Sequence, residues 1–157
     1  MEKTTAGLDN FIAISVPLTG YSRVALLATG MAADYYHAVR RIIGDDRMND
    51  FLSVAADILQ YTHGKAPAQE REIRQQLLAS LLYGPITRNI IQLWYWGAWL
   101  PLPDAWIAKY GKGVKGNENH FISPAAYQQG LIWQVMGSHP EGAKQPGFGS
   151  WSIAPLS

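Results

Sequence analysis

The sequence predicts an all-α fold, a compact bundle of about five to six helices followed by an extended C-terminal tail rich in glycine and proline. Three observations carry this. Apolar residues recur in steps of three and four along most of the first 100 positions, which is the period of one helix face. Gly and Pro punctuate the chain and divide it into these runs. No stretch alternates apolar and polar residues with the period of two that a half-buried strand needs.

The first helix is expected over Leu8–Leu18, with Asp9 or Asn10 near its cap, Pro17 disturbing its last turn and Thr19-Gly20 closing it. From Ser22, the positions Val24, Leu27, Ala28, Met31, Tyr35, Ala38 and Ile42 mark one long apolar face that Gly44 ends. Asp45 and Asp46 can cap a third helix, whose Met48, Phe51, Leu52, Ala55, Ile58 and Leu59 keep helical spacing up to His63-Gly64. A fourth opens near Pro67 with Glu70 and Glu72 in its first turn, and is expected to bury Ile73, Leu77 and Leu81 before Gly84-Pro85. The fifth spans about Ile86 to Trp99. Asp104 can start a short turn of helix to Tyr110, and Ser123-Pro124 signals the cap and first position of a last helix through Met136. Residues 1–138 then form the helical domain, and 139–157 its tail.

Composition removes several classes of function. Thirteen Lys plus Arg against 12 Asp plus Glu leave a formal charge of +1, with no basic run to meet a nucleic-acid backbone. Without cysteine there is no disulfide, thiolate metal site, iron–sulfur cluster or cysteine nucleophile. Gly111-Lys112-Gly113-Val114-Lys115-Gly116 fits G-x-G-x-x-G by letter, but follows no strand and opens no helix, so a weakly basic surface loop is expected. His37, His63, His120 and His139 are scattered, and Asp34 with His37 reads as a surface pair, so no metal is expected. The carboxylate pairs Asp45-Asp46 and Glu70-x-Glu72 sit at helix starts, where capping accounts for them. No catalytic constellation emerges. The opening Met1–Ala6 has neither an apolar core nor paired arginines, so no export signal is read there.

Two features stand out. Only 16% of residues are charged, well below the roughly 25% of an average soluble domain, so part of the surface is expected to be covered. The fifteen residues between Arg88 and Asp104 carry no charge and include Trp94, Tyr95, Trp96 and Trp99. Consecutive residues on a helix point about 100° apart, so these four cannot all face one core and at least one must look outward. The second feature is the tail. Gly142, Gly147 and Gly149 with Pro140 and Pro146 keep it out of helix, and beyond Lys144 it has no charged side chain while carrying Phe148, Trp151 and Ile153. It is expected to dock on another protein; the competing reading folds it back over its own core.

Four blocks of residues resemble a known family. They are Leu8-Asp9-x-Phe11-x-x-x-Ser15-x-x-Leu18-Thr19-Gly20, Leu93-Trp94-Tyr95-x-Gly97-x-Trp99, Ser123-Pro124-x-Ala126-Tyr127-x-x-Gly130-Leu131-x-Trp133, and His139-Pro140-x-Gly142-Ala143-Lys144-Gln145-Pro146-Gly147-x-Gly149-Ser150-Trp151. Together they resemble the small subunit of membrane-bound, FAD-dependent sorbitol dehydrogenases and related bacterial sugar or polyol dehydrogenases. The resemblance implies a non-catalytic helical subunit without a cofactor of its own. Its partner would be a large flavoprotein subunit of the glucose-methanol-choline type, which holds the FAD, often with a cytochrome c subunit. It further implies help in maturation of the large subunit, a periplasmic location and contact with the membrane only through the complex. The residues expected to meet the partner are Trp94, Tyr95, Trp96, Trp99, His139, Lys144, Gln145, Pro146, Phe148 and Trp151. A peripheral membrane protein anchored by residues 86–107 is the alternative.

Overall fold

The computed structural model describes residues 2–137, and over these the fold is all-α. Helix α1 (Glu2–Thr19) packs on α4 (Asp45–Thr62), α3 (Ala32–Ile43) and α6 (Tyr83–Trp96), with α2 (Arg23–Ala28) against its C-terminal end. Helix α5 (Ala66–Ile73) runs directly into a π-helical turn, Arg74–Leu78, that lies against α6. Beyond α6 come β1 (Ala98–Trp99), α7 (Asp104–Tyr110), β2 (His120–Phe121), α8 (Pro124–Gln129) and α9 (Ile132–Val135). The two strands pair antiparallel, Ala98 with Phe121 and Trp99 with His120.

One aromatic and aliphatic core holds these pieces together. Trp94, Trp99, Tyr35, Tyr36, Phe11 and Phe51 are its largest fully buried side chains. Burying a side chain of this size removes 150–250 Å2 from water, so six of them outweigh any surface pairing in setting the fold. The only two ion pairs among the described residues, Arg23 with Asp9 and Arg40 with Asp45, each have a solvent-exposed carboxylate and contribute little.

The long apolar run from Ser22 to Gly44 is two helices, not one. Gly30 takes the left-handed region at φ 71°, and the Thr29 hydroxyl donates to the Leu26 carbonyl while accepting from the Met31 amide. Local side-chain hydrogen bonds of this kind compete with the helix ladder and end it. Of the expected face, Met31, Tyr35, Ala38 and Ile42 are buried, whereas Val24, Leu27 and Ala28 on α2 are exposed. Leu26 is the residue of α2 that enters the core.

Other boundaries move for identifiable reasons. Helix α1 begins before Leu8, so Asp9 and Asn10 lie within it, and it continues through Pro17 to Thr19. Asp45 and Asp46 sit in the first turn of α4, where Gly44 is the cap residue. Leu81 is exposed although Ile73 and Leu77 are buried. The wider π turn between them breaks the regular 3.6-residue register on which the expectation rested. Gly84 and Pro85 lie inside the first turn of α6, and Gly97, at φ 72°, ends that helix two residues before Trp99. An added Cβ at Gly97 would collide with the Ala126 carbonyl, so α8 can approach only because no side chain is there. Gly130 likewise divides the last expected helix into α8 and α9. The expectations of α4, α7 and a Ser123 cap hold, the last through a 3.0 Å bond from the Ala126 amide to the Ser123 hydroxyl.

Candidate partner surface

The Trp-rich block divides between core and surface. Trp94 is fully buried, its ring stacked on Phe11 at 6.2 Å and met edge-on by Tyr35 at 5.0 Å. Its Nε1 donates to the Ser15 hydroxyl at 3.0 Å. Trp99 is also fully buried and donates to Asn117 Oδ1 at 3.0 Å, an oxygen that also accepts from the Leu102 amide. Neither ring offers surface to a partner, which corrects the expectation for both. Their location follows from size, because an indole buried with its N–H satisfied gives the largest apolar gain in the chain.

Tyr95 is half-buried beside Tyr21 and donates to the Thr19 carbonyl at 2.8 Å. Burial raises its phenol above the usual tyrosine range, with Tyr21 adding to the shift. Trp96 alone of the four stands out, at 50% exposure. His139, Lys144, Gln145, Pro146, Phe148 and Trp151 lie outside the described residues, as does the boundary drawn at 138.

Two depressions share Ile91, and Trp96 lines the smaller of them. Arg88, Ile91, Gln92, Tyr95 and Trp96 line a shallow one of about 300 Å3. Ile91 is shared with a groove of about 750 Å3 between the end of α1, α5, the π turn and α6. Val16, Leu18, Tyr21, Ile73 and Leu78 make its wall largely apolar, with Gln69, Glu70 and Arg74 among its polar lining. Sequence reasoning missed this groove. Its signal was present in Pro17, which carries no N–H and so cannot complete the ladder at the end of α1, but the facing wall depends on the π turn.

The remaining chemical candidates do not assemble. Among the described residues no three His, Asp or Glu side chains are grouped to hold a metal, and Asp34 and His37 form no ion pair. The 111–116 loop is tied down, its Lys115 amide donating to the Ile42 carbonyl at 3.1 Å. It follows α7 and opens no helix. No described helix is long and apolar enough to cross a membrane.

Three of the four family-like blocks meet in space. Ser15 and Thr19 of the first receive hydrogen bonds from Trp94 and Tyr95 of the second. The Leu131 amide of the third donates to the Trp94 carbonyl at 2.9 Å, and Gly130 lies against the Tyr95 carbonyl so closely that a Cβ would come within 2.6 Å of it. No family model, curated protein or solved structure matches the chain.

Proposed function

We propose that this chain is the non-catalytic small subunit of an FAD-dependent sugar or polyol dehydrogenase complex. It binds and stabilises a large flavoprotein subunit of the glucose-methanol-choline type through maturation and export to the periplasm. It carries no FAD itself, which belongs to the large subunit, and reaches the membrane only within the complex, with a cytochrome c subunit as a further member. Trp96, Tyr95 and the tail residues His139, Lys144, Gln145, Pro146, Phe148 and Trp151 are the contacts assigned to the partner.

The observation that carries this reading is the convergence of the blocks on α1, α6 and α8–α9 into one hydrogen-bonded unit. Ser15 and Leu131, 116 positions apart along the chain, have reason to be retained together when they build one joint. The exposed Trp96 beside an apolar groove adds the kind of surface that aromatic anchors form at protein interfaces. The membrane-anchor alternative is weakened by the same geometry. Of the tryptophans in 86–107, Trp94, Trp99 and Trp106 are spent in the core, which leaves Trp96 as the one exposed tryptophan of that stretch.

Purification of the affinity-tagged chain from its native host tests the proposal. A large subunit bearing FAD, with dye-linked polyol or sugar oxidation, should co-purify in fixed stoichiometry. Recovery of the chain alone, with no flavin absorbance in any fraction that contains it, would overturn the reading.

A further inference from the structure

We infer that the end of the fold where β2, α8 and α9 close over the C-terminal end of α6 is the face on which the large flavoprotein subunit docks, with Phe121, Val135 and Met136 joining Trp96 in the contact. The inference rests on the proposed function and adds to it the surface through which the small subunit would act.

Backbone hydrogen bonds gather the pieces. The Ile122 amide donates to the Gly97 carbonyl at 2.9 Å, which sets β2 beside the residue that follows Trp96, and Phe121 pairs with Ala98. The Leu131 amide fastens the start of α9 to the Trp94 carbonyl, and one turn later Val135 and Met136 are exposed. Between them runs a series of rings. Phe121 meets Tyr127 edge-on at 5.4 Å, and Tyr127 meets Trp133 in the same way at 5.5 Å. Trp133 Nε1 donates to the Tyr127 carbonyl at 2.9 Å, so this pair of rings is fixed before any partner arrives.

Charge marks the same end. The two longest stretches of the chain without Asp, Glu, Lys or Arg are 119–140 and 89–103, and the bonds from Ile122 to Gly97 and from Leu131 to Trp94 bring them together. Exposed Trp, Phe and Met with no charge among them is the composition of the centre of a protein interface, where Lys, Glu and Asp are depleted. A helix lying on a lipid surface carries Lys and Arg on its polar face instead, and α8 and α9 have neither. The low overall charge of the sequence thus has a location.

What covers this face follows from where the chain goes next. His139, the first residue beyond α9 assigned to the large subunit, is three residues past Met136, a reach of about 11 Å at most. A subunit that holds His139 therefore stands beside Val135 and Met136 as well.

Co-expression of the affinity-tagged full chain with its large subunit tests the inference. Phe121→Glu, Val135→Glu and Met136→Lys should each cut the FAD recovered per tagged chain by about tenfold or more, since each would bury an unpaired charge in the contact. Tyr61→Glu and Leu81→Glu, at exposed apolar positions on other parts of the surface, should stay within about twofold of the parent. Each free variant is melted alongside the parent, and Phe121→Ser or Met136→Ser replaces a charged variant that does not fold. Equal FAD recovery from the face and control variants would overturn the inference and leave the proposed function standing, whereas no FAD with the parent chain would overturn both. A free parent chain that is dimeric, and monomeric in the face variants with FAD recovery unchanged, would overturn it in favour of a second copy. Binding of the free chain to phosphatidylglycerol vesicles, lost in the face variants with FAD recovery unchanged, would overturn it in favour of a membrane.

Discussion

Trp94 and Ser15, 79 residues apart in sequence, share a 3.0 Å hydrogen bond in the buried centre of the fold. The Ser15 hydroxyl accepts from the indole and donates in turn to the Phe11 carbonyl at 2.7 Å, so one serine couples α6 to the α1 backbone. This satisfies the indole N–H, which would otherwise be buried without a partner.

Removal of that acceptor by Ser15→Ala should destabilise the chain by about 1–3 kcal/mol, the cost of an orphaned buried donor. Chemical denaturation of Ser15→Ala, Trp94→Phe and the double variant checks it. The double variant should lose less than the two single losses together, since neither bond partner is then left unsatisfied.

The two neighbouring tryptophans should respond differently to truncation. Trp94→Ala removes a fully buried ring and is expected to cost about 3–5 kcal/mol. Trp96→Ala, at a half-exposed site, should stay within about 0.5 kcal/mol of the parent in thermal melting. In the complex its effect should appear as weaker association, by about 2 kcal/mol for an anchor residue, read by titration against the purified large subunit. Loss of stability from Trp96→Ala equal to that from Trp94→Ala would contradict the division.

Tyr35 is buried with a hydroxyl that makes no hydrogen bond, while its ring packs edge-on to Trp94. Tyr35→Phe keeps the ring contact and removes the unsatisfied group, so it should raise stability by about 1 kcal/mol. Burial raises this phenol far above the usual tyrosine range, with Asp34 adding to it, and also raises Tyr83 and Tyr95. The folded chain therefore holds these protons more tightly than the unfolded one. Their stabilising contribution is complete below about pH 10, the unfolded value, and is lost as pH rises through the folded values. Melting curves between pH 8 and 12 should fall steeply at the alkaline end, and less so for Tyr35→Phe; the pH values bracket the ordinary tyrosine pKa of about 10.

Gly97→Ala should destabilise by more than the about 1–2 kcal/mol of a left-handed non-glycine residue, because its methyl group also meets the Ala126 carbonyl. Circular dichroism with denaturant titration measures the loss. A change within error would mean that α8 can shift away at no cost.

The helical class, the spans of α4 and α7, the Ser123 cap and the need for part of the Trp block to face outward were all legible in the sequence. These are local properties, set by spacing of three and four, by capping chemistry and by the 100° step between neighbours. Local pattern could not show which aromatic faces outward. Trp94 and Trp96 are equally apolar, and only the position of Ser15 and Phe11 on α1 makes one of them core and the other surface. Nor could it show the break at Thr29-Gly30, where the apolar period continues across a glycine that the backbone turns into a left-handed stop. The groove is wholly tertiary. Its walls come from α1, α5, the π turn Arg74–Leu78 and α6, with Leu78 and Ile91 both in its lining while Leu81 is exposed. Periodicity records which residues are apolar, whereas packing between distant segments decides which apolar residues are left uncovered.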